Sequence, residues 1–532
     1  MSSTSNTVIN LRQSVLYPIS SQSKFISKIP TTSSSLQLNS ISQSISSLSL
    51  RGGAAAAAST TPVPLTPSAL FNKSLLILAL LSVFVKLVGK PISTIPSSSD
   101  SDSSSSPTSS AHKSLRFKFL PLFYVLRLSD WLQGPYFYSV YATKTLADGT
   151  PFPLGLISKL FLTGFASTAV FGPWLGRVAD TRGRKKATLL FTLLYTMGAL
   201  STRSPVLLYL FLGRVLSGLG TSLLFSAPES WLVSESQSIP DPDGRGGKEL
   251  SKTFGLAYAG DSVVAIAAGQ LASVAARTRG ETGPFELSAA FLVLGAAGVA
   301  TMWNENKAAS QSNEKRAVGE AEKPASSIRD GLKMVMSDPK IFLTGLIQAA
   351  FEGAMYTFVI NWPPSLSLAV TNFFGPGAAT PYGSVFSCFM ACCLVGSTLF
   401  QRIVKFGVEN VGCGMLVTAA ASMTVAAFSS ALPFSQLKTL VLAFFMFEAC
   451  VGVYFPFIGT LRSKTVPDSH RSVIMNLFGI PLNALVVAVF LGIKQLGVEG
   501  ALKVSATSLA VAAGAAIKLR GIMKKEMKEA EN

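Results

Sequence analysis

Three acids and two arginines stand inside long apolar stretches of this sequence, where a charge must meet a solute, a proton or another charge. Asp130 and Glu352 each lie about twelve residues into such a stretch, which as helix is roughly 18 Å and close to a bilayer midplane. Glu448 reaches a similar depth in a third stretch. An arginine at the centre of a span costs on the order of 2.5–3.5 kcal/mol unless it faces protein or a water-filled cavity, and Arg214 stands about eight residues into its own. Arg127 is three residues before Asp130 on the same helical face, so the two can neutralise one another. A structural pair and a role with solute or proton are both open for Arg127 and Asp130. Asp130, Glu352 and Glu448 share the same two readings, as proton-carrying groups or as fixed partners bridging helices.

The elements that must hold these charges follow from the apolar runs. The 532 residues are 48% apolar and 14% charged, and from residue 117 onward one run of about 20 apolar residues follows another. Backbone amides in lipid need internal partners, so the runs are expected as helices near 117–141, 155–178, 186–203, 205–228, 252–275 and 284–303, then 340–361, 382–403, 409–431, 436–460, 472–493 and 499–518. This defines an all-α membrane protein with a six-helix bundle over 117–303, a hydrophilic cytoplasmic linker over 304–339 and a second bundle over 340–518, followed by a basic cytoplasmic tail at 519–532. Ahead of the core stand a Ser/Thr-rich leader without Asp or Glu at 1–68, expected to be disordered, an accessory transmembrane helix at 69–89 and a Ser-rich linker at 90–116. Counting Lys and Arg in alternate loops gives roughly 25 on the side of the first core helix's amino end and roughly 8 on the other, which sets both ends of the core on the cytoplasmic side.

The same loop charge accounts for the net +18, since no soluble stretch interleaves a basic stripe with stacking aromatics; nucleic acid is not an expected partner. The five cysteines (Cys388, Cys392, Cys393, Cys413, Cys450) lie in apolar surroundings without metal-ligand spacing. His112 and His470 are the only histidines, both outside the expected spans. No metal centre, cofactor site or catalytic constellation emerges, and an enzyme is not expected.

Between the second and third helices stands Gly176-Arg177-Val178-Ala179-Asp180-Thr181-Arg182-Gly183-Arg184-Lys185-Lys186. This loop resembles the signature of the major facilitator superfamily, with Thr181 where the family often has a basic residue. Its glycines allow a tight turn and close helix approach, and Asp180 is expected to cap a helix start and to pair with nearby arginines such as Arg184. Arg214-Val215-Leu216-Ser217-Gly218-Leu219-Gly220 resembles the same superfamily's fourth-helix motif. Four further strings, Asp130 to Tyr136, Leu223 to Trp231, Phe351 to Phe358 and Tyr454 to Pro456 with Leu461-Arg462, are similar to the molybdate-anion transporter family within that superfamily. The similarity covers most of 117–493. It departs at Gly479, where the family pattern has a basic residue.

The resemblance implies the twelve-helix major-facilitator fold and uptake of molybdate by alternating access. For that divalent oxyanion Arg127 and Arg214 are the expected cationic contacts, with Gln133, Tyr136, Tyr356 and Asn361 as hydrogen-bond donors. Proton coupling would use Asp130, Glu352 or Glu448. Glu229, near the cytoplasmic end of the fourth helix, is expected to bind the basic cluster of Arg184 and Lys185 and so hold a gate. A carrier for a sugar, another organic anion or a drug-like compound, and a membrane sensor or scaffold, are the alternatives. The family favours the cell membrane, and the acid-free leader an organelle envelope.

Overall fold

The computed structural model describes residues 66–87, 107–307 apart from 243 and 245, 328–431, 435–467 and 471–531. The leader up to residue 65, residues 308–327 of the expected linker and His470 lie outside the described residues. Among the described residues every extended element is a helix, with one isolated bridge between Thr145 and Pro151. Helix α1 is Pro67–Leu87, and the first bundle holds α2 (Pro107–Gln133), α3 (Phe137–Ala142), α4 (Leu154–Arg182), α5 (Arg184–Ser201), α6 (Leu207–Leu224), α7 (Ala227–Gln237), α8 (Gly246–Arg279) and α9 (Gly283–Met302). After α10 (Ile328–Ser337) come α11 (Pro339–Phe374), α12 (Tyr382–Ile403), α13 (Val408–Ala427), α14 (Gln436–Thr465) and α15 (Arg471–Glu531).

Ten of the helical stretches are long and apolar enough to cross a membrane. One of them, α15, is two limbs joined at Gly497, whose φ of 63° breaks the helix and turns the chain back. Helices α2 and α5 are not among these ten and complete twelve core spans beside α1. Proline sets the local breaks. Pro135 and the 3-10 turn Gly134–Tyr136 separate α2 from α3, and Pro228 in the first turn of α7 splits the fourth span after Leu224. The Asp338 carboxylate caps α11 by accepting from the amides of Lys340 (2.7 Å) and Ile341 (3.4 Å).

The seventh and fifth spans run longer than their apolar cores predict. Helix α11 continues past residue 361 through Pro363 and Pro364 to Phe374, and α8 begins six residues before the expected start at 252. The linker also holds a helix that charge content concealed: α10 turns Val335 into a small core with Ile341, Val466, Ile474 and Phe478.

The turn at Arg182–Arg184 marks the basic end of the bundle, and the loop from α3 to α4 marks the far end. In the first half α2 packs on α8 and α9, and α6 on α4 and α5; in the second α11 packs on α15, and α14 on α12 and α13. The halves join along α8–α12 and α4–α15, while α1 lies on α12 with its buried Phe71 carbonyl 3.3 Å from Cys388 Sγ. The contacts named across the seam belong to the far half of the molecule. Ser387 donates to the Ile266 carbonyl at 2.7 Å, Ser273 and Ser384 hydroxyls lie 3.4 Å apart, and Gly155 meets the Lys494 side chain.

Two glycines make this seam. A Cβ on Gly383 would strike the Gly269 carbonyl and come within 2.6 Å of Ser273 Oγ, and one on Gly269 would lie 3.0 Å from the Ser387 amide. Substituting Gly383→Val is expected to weaken the closed seam by about 1–3 kcal/mol through overpacking. Maleimide labelling of a cysteine introduced at Ser384 checks this; the far end should become at least about fivefold more reactive in the variant.

Candidate functional site

The deepest charge cluster in the first half is built on α2 and α8. Arg127 is 2% exposed and donates from Nε and Nη2 to both carboxylate oxygens of Asp261, at 2.9 and 3.0 Å. Trp131 Nε1 donates to the same carboxylate at 2.8 Å, and the guanidinium lies 5.0 Å from the Trp131 ring and 4.9 Å from that of Phe225. Asp130, 15% exposed, takes a longer contact from Arg127 at 3.5 Å and a strong one from the Tyr195 hydroxyl at 2.5 Å. The expected partnership of Arg127 with Asp130 is therefore secondary. Asp261 is the principal partner because it matches the guanidinium's planar fork from a neighbouring helix, which an i,i+3 carboxylate cannot. Arg127, expected as an anion contact, thus has its fork occupied by Asp261 in this structure.

Arg214 differs. Its guanidinium stacks 4.0 Å above the Phe137 ring and lies beside the Tyr141 hydroxyl, and among the described residues no carboxylate comes within ion-pair distance of it. Arg214 Nε and Tyr141 Oη are both buried without a hydrogen-bond partner. Room for the side chain is made by Gly164 of α4, where a Cβ would sit 2.6 Å from Nη2. Arg214 is thus a half-buried cation with one buried N–H unpartnered, set against the Phe137 ring and the Tyr141 hydroxyl.

The other expected donors are dispersed. Gln133 Nε2 donates to Ser288 at 2.8 Å, and Ser288 donates onward to the Ser129 carbonyl, which ties α2 to α9. Asn361 gives its amide hydrogen to the Thr357 carbonyl of its own helix at 2.7 Å, leaving the acceptor oxygen, not a donor, without a partner. Tyr136 and Tyr356 do reach the seam: Tyr136 meets the Tyr382 ring at 5.8 Å and Tyr356 the Phe165 ring at 5.5 Å. Of the three acids, Asp130 belongs to the first half and the other two to the second. Glu352 accepts from the Tyr454 hydroxyl at 3.0 Å within the second half, and Glu448 on α14 faces Cys392 and Cys393 of α12.

At the basic end Gly183 supplies the turn, with φ of 121° between α4 and α5. Gly176 has open space where its side chain would be, so it makes no close helix approach. Asp180 pairs with Arg184 at 3.1 Å within one turn but caps nothing. The cap comes from Glu305, just beyond α9, whose two carboxylate oxygens accept from the Lys185 and Lys186 amides at 3.0 and 3.1 Å. A carboxylate at a helix start satisfies free amides and the dipole together. Lys185 Nζ returns a bond to the Ala300 carbonyl at 2.7 Å, and Trp231 stacks on Trp303 at 4.1 Å while donating to the Asn304 carbonyl. Glu229, expected at this loop, instead accepts from Tyr258 of α8 at 2.7 Å, with Arg127 the cation acting on it. In the first turn of α7 it faces α8 and the bundle rather than the loop. Glu305→Ala is expected to loosen the start of α5 by about 1 kcal/mol, read as roughly fivefold faster hydrogen exchange at the Lys185 and Lys186 amides.

Two six-helix halves, a glycine turn at the basic end and cations inside the spans define a twelve-span carrier of the major facilitator type. Residues 83–453 match the family described as sugar transporters with twelve transmembrane spans. Within that class the chain belongs to the molybdate-anion transporter family. It is 31% identical over 381 residues to the molybdate-anion transporter of Xenopus tropicalis, spanning 70% of this chain and 78% of that one. It is likewise 31% identical over 387 residues to that of Danio rerio, spanning 69% and 76%. The fold is shared with a peptide transporter solved in complex with sulfate, at a TM-score of 0.57 and 16% identity over 78% of this chain and 94% of that one. A nucleoside transporter structure aligns at 0.53 and 15% identity, over 77% and 99%.

Proposed function

We propose that this protein is a carrier, not an enzyme, that imports molybdate by alternating access, with Arg214 and Tyr141 holding the oxyanion. The observation that supports this best is the unanswered guanidinium: Arg214 has no carboxylate partner among the described residues, its buried Nε has no acceptor, and its neighbour is the Tyr141 hydroxyl, whose own hydrogen has no acceptor. A divalent oxyanion supplies acceptors for all of these donors, whereas a neutral sugar leaves the charge unmatched. The match to a family described as sugar transporters is the observation that favours the second reading, a carrier of an uncharged organic solute.

In this reading the far-end contacts between α8 and α12 and between α4 and α15 form one gate, and the basic end, facing the cytoplasm, opens to release the anion. Asp130 is the best placed of the three acids to carry a coupled proton, because it is partly exposed and its proton could pass to or from Tyr195. Glu352 and Glu448 serve as bridges inside the second half. The membrane proposed is that of the cell surface. Elemental analysis of a molybdate-deficient cell expressing the chain tests the reading: molybdenum accumulates, resists excess glucose and falls with excess of a competing oxyanion such as sulfate. Loss of accumulation to glucose rather than to the oxyanion would favour the second reading.

A further inference from the structure

The turn between α8 and α9 holds an acid that none of these roles uses. Glu281 stands between Gly280, with φ of 71°, and Thr282, at the far end of the seam. Its carboxyl group is hydrogen-bonded to the Ser139 hydroxyl of α3, and the same hydroxyl lies 3.2 Å from the Tyr136 carbonyl. Ser139 has one hydrogen for two acceptors. If Glu281 is ionised, one of the two contacts is oxygen against oxygen with nothing between. If Glu281 carries a proton, it donates to Ser139, Ser139 donates to the Tyr136 carbonyl, and both contacts are satisfied.

The surroundings offer the ionised form little else. Arg279 and Arg203 are committed to Glu286, at 3.1 and 3.5 Å, and Arg277 acts on Tyr136. The titratable groups within reach of the Glu281 charge are Tyr136 of the first half and Tyr382 of the second, with Tyr138 behind Tyr382. Tyr136 and Tyr382 meet edge to face across the seam, so the second half stands within reach of the half-buried Glu281 when the far end is closed. Burial pushes the Glu281 carboxyl above its ordinary range, outweighing the opposite effect of the Ser139 hydrogen bond.

We propose that Glu281 is the proton-binding latch of the far-end gate: the halves seal over it in its protonated form and part when it ionises. Closure takes one proton from far-side water onto the carboxylate, and opening returns it. This rests on the carrier reading above and adds a pH-sensitive gate to it. A group that binds its proton more tightly in the closed state favours that state at low pH and releases it as pH rises.

The test uses the full chain in lipid vesicles without any transported solute, so it stands apart from whether molybdate is the cargo. Spin labels on Ala147→Cys and Ala379→Cys, in exposed far-end loops of the two halves, report the gap, and the five native cysteines are buried. Raising the pH from about 5 to about 9 is expected to convert the short distance into a longer one, the ratio changing by up to about tenfold per pH unit beyond the midpoint. Glu281→Gln should hold the short distance throughout, and Glu281→Asp should titrate with a displaced midpoint. A wild-type gap that ignores pH, a Glu281→Gln protein that titrates as the wild type does, or a Glu281→Asp midpoint that does not move would overturn the proposal.

Discussion

Replacing Arg214 with Gln is expected to lower molybdate uptake at least about a hundredfold while leaving the protein folded and inserted in the membrane. The magnitude follows from what is removed. A hydrogen bond from a charged donor is worth about twice a neutral one, roughly 1.5–3 kcal/mol, a fork makes two of them, and each 1.4 kcal/mol lost is tenfold in affinity. Folding should tolerate the change because no carboxylate among the described residues is left unpaired when this cation disappears. Arg214→Lys keeps the charge but loses the fork, and should recover only part of the uptake. Gly164→Leu supplies a control from a different helix: it crowds the guanidinium without touching its charge, and uptake should fall in step with displacement of the side chain. Tracer uptake into proteoliposomes, normalised to monodisperse protein, reads all three.

The opposite pattern is expected at Arg127. Asp261→Asn leaves the 2%-exposed guanidinium without its principal counter-charge and only the longer contact to Asp130, and breaking a buried pair in this way costs about 3–5 kcal/mol. The loss should appear as a lower midpoint of thermal unfolding in detergent and as poor surface expression. Arg127→Gln should behave similarly, since Asp261 is then the buried, unmatched charge. Removing both with Arg127→Met and Asp261→Leu should restore most of the stability, as apolar replacements of a whole pair often do. A double variant no more stable than either single one would show that the pair is not the unit of stabilisation. Separating stability from uptake in this way distinguishes a cation that holds the bundle together from one that waits for a ligand.

The spans were readable from the sequence because their signal is local: about 20 apolar residues in a row have few alternatives to a helix across lipid. The turn at Gly183 was readable for a similar reason, since a positive φ demands glycine at one position. Pairing between distant helices was not. Asp261 lies 134 residues from Arg127, in a stretch where nothing marks it apart from any other acid, so helical spacing drew attention to Asp130 instead. Glu305 was hidden in the same way, as one charge in a hydrophilic segment, and its role depends on where the α5 amides come to lie.

Tyr141 and Glu281 show a second limit. Both have ordinary neighbours in sequence, and each becomes informative only through what it faces: Arg214 for the one, Ser139 and the seam for the other. Gln133 and Asn361 illustrate the other direction. Their types suit an anion, and each gives an amide hydrogen to a protein acceptor, Ser288 for the one and the backbone of α11 for the other. Residue type therefore narrowed the site to candidates, and the choice among them rests on which donors the fold leaves without a partner.

Equilibrium dialysis of the purified full-length protein against molybdate, with molybdenum counted by mass spectrometry, bears most directly on Arg214 as the anion's ligand. Saturable binding of one molybdate per chain is predicted for the wild type, weakened at least about a hundredfold by Arg214→Gln and preserved in Glu305→Ala. Equal binding by the wild type and Arg214→Gln, or none by either at millimolar molybdate, would contradict it.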